Sequence, residues 1–136
     1  MIQRIQSIWL LLASVCAFVS LKFSFYSGTD SKGLASQFLT GSSDFILLLF
    51  SVVIGVLALF TIFMYKNRVQ QLRLCILGIL LEAVLIFLYY RQLSTFTSGT
   101  YSLTSILQLG VIIFFILAAR GINKDQKLVK ESDRLR

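Results

Sequence analysis

The chain has 136 residues, of which 57% are apolar and 14% are charged, and its mean hydropathy is +0.83. This composition is typical of a membrane protein and not of a soluble domain of this length. The sequence holds no histidine, no proline and six acidic residues. It therefore lacks the side chains for a His-based triad, a His-ligated zinc site or a carboxylate-rich metal cage. We expect a protein that is not an enzyme and that uses no cofactor and no metal.

Uncharged apolar runs predict four transmembrane helices, because a helix needs about 20 residues to cross a bilayer. The predicted spans cover about residues 5–25, 45–65, 73–90 and 103–119. The links after the second and third spans are short, which favours antiparallel neighbours. The predicted fold is therefore an all-α, up-down-up-down bundle in a single domain.

The fourth predicted span is followed by Arg120 and Gly121, a basic residue and a glycine in the order typical of a helix end. Residues 120–136 then form a charged tail. Its mixed charges favour a solvated helix or a frayed segment that is drawn weakly to anionic headgroups. Nucleic-acid binding is not expected, since membrane insertion accounts for the net charge of +7.

Basic residues predict the orientation of the chain. With both termini inside, ten of the thirteen Lys and Arg residues lie in the cytoplasm and three lie outside, namely Lys22, Lys32 and Arg91. This bias predicts cytoplasmic termini. Aromatic residues of the boundary type lie at or near the predicted span ends: Trp9, Tyr26, Tyr65, Tyr89, Tyr90 and Tyr101.

The first outer loop, residues 26–44, is rich in glycine, serine and threonine. Such turn chemistry predicts a solvated connector. Leu34, Phe38 and Leu39 could touch the lipid surface as one short amphipathic turn. A loop that docks a partner is the alternative.

Glu82 stands alone in the middle of the third span, with eight uncharged residues on either side. A carboxylate at a helix centre costs about 2.5–3.5 kcal/mol to insert, so it needs a proton or a partner. Counting from the span midpoints places Ser14, Gln108, Cys16 and Gly55 at similar depth. We therefore predict an intramembrane polar site formed by Glu82, Gln108 and Ser14.

Three roles remain open for this predicted site. The protonated glutamate can lock the bundle by donating a hydrogen bond to Gln108, Ser14 or a backbone carbonyl. It can instead pair with a basic or polar group of another membrane protein, or couple protons to transport. Four small residues form two further candidate surfaces, for helix packing or for a partner: Ser51 with Gly55, and Cys75 with Gly78.

The opening MIQRIQSIWLLLA, the basic second loop and the closing RGINKDQKLVKESDRLR carry a resemblance that would cover the whole chain. The sequence resembles a small family of bacterial four-span membrane proteins catalogued only as a domain of unknown function. The resemblance implies a bacterial inner membrane. It implies no activity and no catalytic residue.

Two functions are compatible with these features. The first is a non-enzymatic accessory or scaffold subunit that packs against a larger inner-membrane assembly, such as a translocase or a secretion complex. The second is a minimal oligomeric transporter or proton-linked carrier that uses Glu82. The sequence lacks the helix breaks and paired ionisable groups of discontinuous-helix carriers, which favours the first. The expected partners are membrane lipids and another integral membrane protein.

Overall fold

The computed structural model describes residues 2–30, 32–33 and 37–135. These residues form four α-helices, three β-strands and one turn of 3₁₀-helix. In chain order the elements are α1 (Ile2–Val19), β1 (Ser24–Asp30), β2 (Gln37–Thr40), α2 (Phe45–Phe63), α3 (Arg68–Leu93), β3 (Phe96–Tyr101), the 3₁₀ turn (Leu103–Ser105) and α4 (Ile106–Arg134). The chain is therefore mostly helical.

Three helical segments are long and apolar enough to cross a membrane: α2, α3 and the continuous segment Leu103–Arg134. The apolar part of α1, Ile5–Val19, is shorter. Its length is about 22 Å at 1.5 Å per residue, against about 30 Å for a hydrocarbon core. The first span was predicted to reach residue 25, and this is wrong because the chain leaves the helix after Val19 and enters β1 at Ser24.

The four helices pack in a ring, with α1 and α3 each contacting both α2 and α4. Their interior is apolar over most of its length, with Leu10, Ile54, Leu85, Val111 and Phe115 all fully buried. Large apolar side chains also cover much of the outside of the helices. An apolar exterior of this kind suits a lipid environment.

The bundle has two distinct ends. The sheet end carries the strands and the connections 20–44 and 94–105. The loop end carries the link 64–67, the start of α1 and the later part of α4, where Gln6 contacts Asp125.

A three-stranded antiparallel sheet with strand order β2-β1-β3 contradicts the all-α prediction. Its strands are rich in Ser, Thr, Phe and Tyr, and the last three are residue types that favour extended chain. Gly28 on β1 is directly opposite Gly99 on β3. A Cβ atom at Gly99 would lie 2.5 Å from the Ser27 carbonyl oxygen, so the two strands approach closely only because both positions are glycine.

The amphipathic turn predicted in the first loop is replaced by strand β2. Phe38 is 61% exposed and its neighbour Leu39 is 4% exposed. Alternation of exposed and buried side chains is the pattern of a strand and not of a helical turn. Leu34, the third residue of the predicted turn, lies outside the described residues.

Helix α4 runs through Gly121 without ending there, which contradicts the predicted boundary at residues 119–121. The glycine serves packing instead. A Cβ atom at Gly121 would lie 2.9 Å from Cγ of Gln6, so the missing side chain lets α1 approach α4. The predicted charged tail is therefore helical as far as Arg134.

Candidate functional site

The inner face of α3 is polar at several positions along its length. The buried residues of this helix recur every three or four positions: Gln71, Cys75, Gly78, Glu82, Leu85 and Tyr89. Residues at this spacing lie on one face of a helix. The helix therefore turns its one mid-span carboxylate into the bundle and away from its surface.

Glu82 is completely buried, at 0% exposure. Neither of its carboxylate oxygens has a hydrogen-bond partner among the described residues. The predicted hydrogen bond from a protonated Glu82 to Gln108, Ser14 or a backbone carbonyl is therefore not formed among the described residues. Ser14 is also buried, at 2% exposure, and Cys16 is partly buried.

Tyr89 joins Glu82 to two further polar residues. Its hydroxyl lies near the side chains of Ser51 and Gln108, and Glu82 lies two turns earlier on the same buried face of α3. No hydrogen-bond geometry is met between these groups. We call Ser51, Glu82, Tyr89 and Gln108 the polar cluster.

The polar cluster has an unusual number of unpaired polar atoms. Six of them are buried without a partner: Oγ of Ser51, Oε1 and Oε2 of Glu82, the hydroxyl of Tyr89, and Oε1 and Nε2 of Gln108. Buried polar groups in folded proteins are nearly always hydrogen-bonded, and each exception calls for an explanation such as a water or an ion. The cluster is therefore the main candidate site of the bundle.

Tyr89 was predicted to lie near an end of the third span, and the structure buries it fully inside the bundle, four residues before the end of α3. Its ring stacks on Phe25 of β1, with ring centroids 4.4 Å apart and planes 18° from parallel. The sequence contains a signal for this position, because Tyr89 follows Glu82 by seven residues and so shares its helix face. The tyrosine connects the polar cluster to the sheet.

A pocket of about 260 Å³ lies near the sheet end and reaches the polar cluster at one residue, Gln108. It lies between the sheet, α3 and α4, and its lining consists of Phe25, Ile86, Tyr101, Ser105, Gln108 and Leu109. Gln108 thus belongs both to the pocket and to the cluster. Toward the loop end the interior is closed, because the ring of Phe115 fills the space beside Gly78.

The four small residues predicted as packing or partner surfaces all point into the bundle. Ser51 and Cys75 are 1% and 0% exposed. A Cβ atom at Gly55 would lie 2.8 Å from Cζ of Phe18, and one at Gly78 would lie 2.7 Å from Cε1 of Phe115. The chain's own aromatic rings therefore occupy the space beside both glycines, which agrees with helix packing and leaves no room there for a helix of a partner.

A second polar site, at the loop end, was missed by the sequence reasoning. Asp125 of α4 is 6% exposed and accepts a 2.7 Å hydrogen bond from Nε2 of Gln6. Arg68 at the start of α3 approaches the same carboxylate at 3.7 Å. Asp125 follows Ile122 by three residues and so continues the buried face of α4, which is the signal that identifies it.

The two polar sites differ in chemical state. Asp125 is paired with a cation and an amide, whereas the polar cluster offers one carboxyl group among neutral oxygen atoms and no cation. In the part of the chain that the structure describes, no three His, Cys, Asp or Glu side chains meet as a metal-binding group. The cluster is suited to holding a proton, a water molecule or a single monovalent cation.

These features define a helical bundle of membrane type that carries a small sheet at one end and a buried, unpaired polar cluster beneath it. The chain belongs to the family described as Domain of unknown function (DUF4293), whose model matches residues 2–135. No curated protein and no solved structure matches the chain.

Proposed function

We propose that the chain is a four-span integral protein of the bacterial inner membrane, an up-down-up-down bundle with both termini in the cytoplasm. The charge bias of ten basic residues against three supports this orientation. The loop end would then face the cytoplasm and the sheet end the opposite side. The short α1 is accommodated by local bilayer thinning and by Lys22, whose long side chain reaches the boundary.

We propose further that the protein acts without catalysis, as an accessory or scaffold subunit of a larger membrane assembly. The observation that carries this proposal is the length of α4. Its 29 residues extend about 43 Å, against about 30 Å for a hydrocarbon core. The excess of about 13 Å lets the charged part of α4, residues 120–134, extend beyond the hydrocarbon core, and we call this part the stem.

The stem presents a basic stripe to its surroundings. Five basic residues recur at intervals of three or four: Arg120, Lys124, Lys127, Lys130 and Arg134. They lie on the face opposite Ile122 and Asp125, which are buried against the bundle. Glu131 follows Lys127 by four residues and lies on the same face, which remains predominantly cationic. Such a face, held away from the bundle, is suited to an acidic surface of a partner protein.

The stem is fixed to the bundle at its base. The Gln6–Asp125 hydrogen bond and the Arg68–Asp125 ion pair join α1, α3 and α4 at this level. The close approach of Gln6 to Gly121 adds a packing contact one turn earlier. A rigid attachment reduces the ordering cost when a partner docks.

The test is cross-linking in native membranes, with a photo-reactive residue placed at Lys130 and the adduct identified by mass. Lys127→Gln removes one positive charge from the stripe, and we expect it to reduce the cross-linked adduct several-fold. Ser132→Asp changes the net charge by the same amount on another face of the stem and should leave the adduct unchanged. A monodisperse monomer with no cross-linked membrane protein would contradict the subunit role.

A minimal oligomeric transporter or proton-linked carrier is the second candidate. The unpaired carboxyl group of Glu82 in the bundle interior favours it. In that case Glu82→Gln should be as damaging as Glu82→Ala, because only a titratable group carries the proton. In the subunit role Glu82→Gln should leave accumulation and the complex nearly intact.

A further inference from the structure

We propose that the polar cluster binds one monovalent metal cation, which enters from the sheet end through the pocket at Gln108. The site goes beyond the subunit role, which does not require it. Three features of the cluster favour a monovalent cation: the kind of donor atoms, the charge they carry and the direction of access.

The donor atoms are those that hard cations prefer. Five oxygen atoms of the cluster are buried without a partner: both carboxylate oxygens of Glu82, Oγ of Ser51, the hydroxyl of Tyr89 and Oε1 of Gln108. Hard cations are bound by carboxylate, carbonyl and hydroxyl oxygens, typically about six to eight of them for the larger ions. A cation bound at the Glu82 carboxylate, with waters that bridge it to the hydroxyl and amide oxygens, would give these atoms the partners they lack.

The charge of the cluster matches a single positive charge. Glu82 is the only buried charged side chain in the described residues other than Asp125, which already pairs with Arg68 at the loop end. The other buried polar side chains of the described residues are uncharged, among them Ser14 of α1, Ser51 of α2 and Gln108 of α4. A monovalent cation neutralises the carboxylate, whereas a divalent ion would leave an uncompensated buried charge.

Access to the cluster is one-sided. Gln108 lines the pocket that opens between the sheet, α3 and α4. Toward the loop end, Phe115 closes on Gly78, and both Ala58 and Ala118 are fully buried. The cluster is therefore a binding site reached from one face and not part of a path through the bundle.

Occupancy of the site would act on the sheet through Tyr89. The tyrosine hydroxyl belongs to the cluster, and its ring stacks on Phe25 of β1. The hydroxyl also lies 3.1 Å from the position of a Cβ atom at Gly41, in the turn between β2 and α2. A cation that fixes Tyr89 would therefore hold the sheet against the bundle.

The experiment measures thermal unfolding of the purified full chain in detergent at fixed pH and ionic strength. Sodium, potassium and lithium chlorides are compared with the chloride of a bulky organic cation, N-methylglucamine. A ligand that binds only the folded state raises the melting temperature progressively with its concentration. We expect a rise with at least one alkali cation and none with the organic one.

Two variants assign the effect to the cluster. Glu82→Gln keeps the shape of the side chain and removes its charge, so it should abolish the cation-dependent rise. Glu131→Gln removes an exposed carboxylate of the stem and should keep the full rise. Tyr89→Phe deletes one donor oxygen and retains the ring, so it should weaken the cation-dependent rise in melting temperature. This variant tests the site if Glu82→Gln does not fold.

Each contrary result overturns the proposal. Equal melting temperatures in all four chlorides would show that no alkali cation binds, and that Glu82 carries a proton or contacts water instead. A cation-dependent rise that persists in both cluster variants would place the ion elsewhere. Amide hydrogen exchange in β1 gives a separate readout, and it should slow only when the effective cation is present.

Discussion

Gly78 of α3 packs closely against Phe115 of α4, and this contact yields a quantitative prediction. A Cβ atom at Gly78 would lie 2.7 Å from Cε1 and 2.8 Å from Cζ of Phe115. Carbon atoms pack best at about 3.5–4.0 Å, so the ring would have to move by about 1 Å. Phe115 is 0% exposed, and a close-packed interior leaves it no free space.

The expected loss follows from two opposing effects. Overpacking of this kind costs about 1–3 kcal/mol. Replacing a glycine within a helix by alanine returns up to about 1 kcal/mol through helix propensity. Gly78→Ala should therefore lower the free energy of unfolding by about 1 kcal/mol, which is the middle of the overpacking range, about 2 kcal/mol, less the gain in helix propensity.

Gly110 in α4 is the matched control. A Cβ atom there would have its nearest neighbour, Cε2 of Phe114, at 3.8 Å, which is an ordinary contact. Gly110→Ala gains the same helix propensity without the clash, so it should be neutral or stabilising. The difference between the two alanine variants isolates the clash and should be about 1–3 kcal/mol.

Equilibrium unfolding in detergent, followed by helical circular dichroism, measures both variants. Adding Phe115→Leu to Gly78→Ala should recover part of the loss, because the smaller side chain removes the ring that the new methyl group meets. If Gly78→Ala is as stable as Gly110→Ala, the helices do not pack with this ring in this place, and the reasoning is refuted.

Three further predictions concern other parts of the molecule. Asp125→Ala should lower the free energy of unfolding by about 1.5–3 kcal/mol, because it removes a buried hydrogen bond to a charged group. Arg68→Ala removes only a partly exposed ion pair and should cost less than about 1 kcal/mol. Unfolding in detergent measures both variants. Gly99→Val should disrupt the sheet, because its side chain meets the β1 backbone, and faster amide exchange in β1 with unchanged helix content would show it. In intact cells whose outer barrier is permeabilised, an impermeant thiol reagent should label Ser42→Cys and spare Asn67→Cys, and the reverse pattern would invert the proposed topology.

The helices could be predicted from the sequence because a lipid environment imposes a simple requirement on the backbone. Backbone groups in a bilayer must be satisfied within a helix, so a long uncharged run such as the one after Asp44 predicts a helix without knowledge of its neighbours. The isolation of Glu82 in such a run likewise marked it as a site. Both inferences use only local information.

The sheet could not be predicted in this way because it depends on pairing between segments that are far apart in the sequence. Tyr26 pairs with Tyr101, and neither local sequence differs from a polar connector. The same limit explains Gly121, which local rules assign to a helix end and which tertiary packing uses as a contact for Gln6. The burial of Tyr89 was missed because tyrosine is a residue type of the membrane boundary, although its spacing of seven residues from Glu82 places it on the same helix face.

The stability of the two ends of the bundle should differ, and the reason lies in how helices associate in lipid. Burying a leucine gains little when the surroundings are hydrocarbon, so packing relies on close fits and on polar contacts. Close fits occur along the bundle, at Gly55 against Phe18 and at Gly78 against Phe115.

The polar contacts are distributed unequally. At the loop end, Asp125 is joined to Gln6 and Arg68, and Gln71 donates a 3.2 Å hydrogen bond to the Thr61 carbonyl oxygen. Toward the sheet end, the six polar atoms of the cluster are unpaired. The sheet end is therefore the part of the bundle whose stability depends on what occupies the cluster, and native-state amide exchange should find it opening before the loop end does. We expect the loop end to open more slowly than the sheet end. A cation that binds the cluster should reduce this difference. Uniform opening of both ends, insensitive to every cation, would show instead that the polar contacts contribute nothing to the order in which the bundle opens.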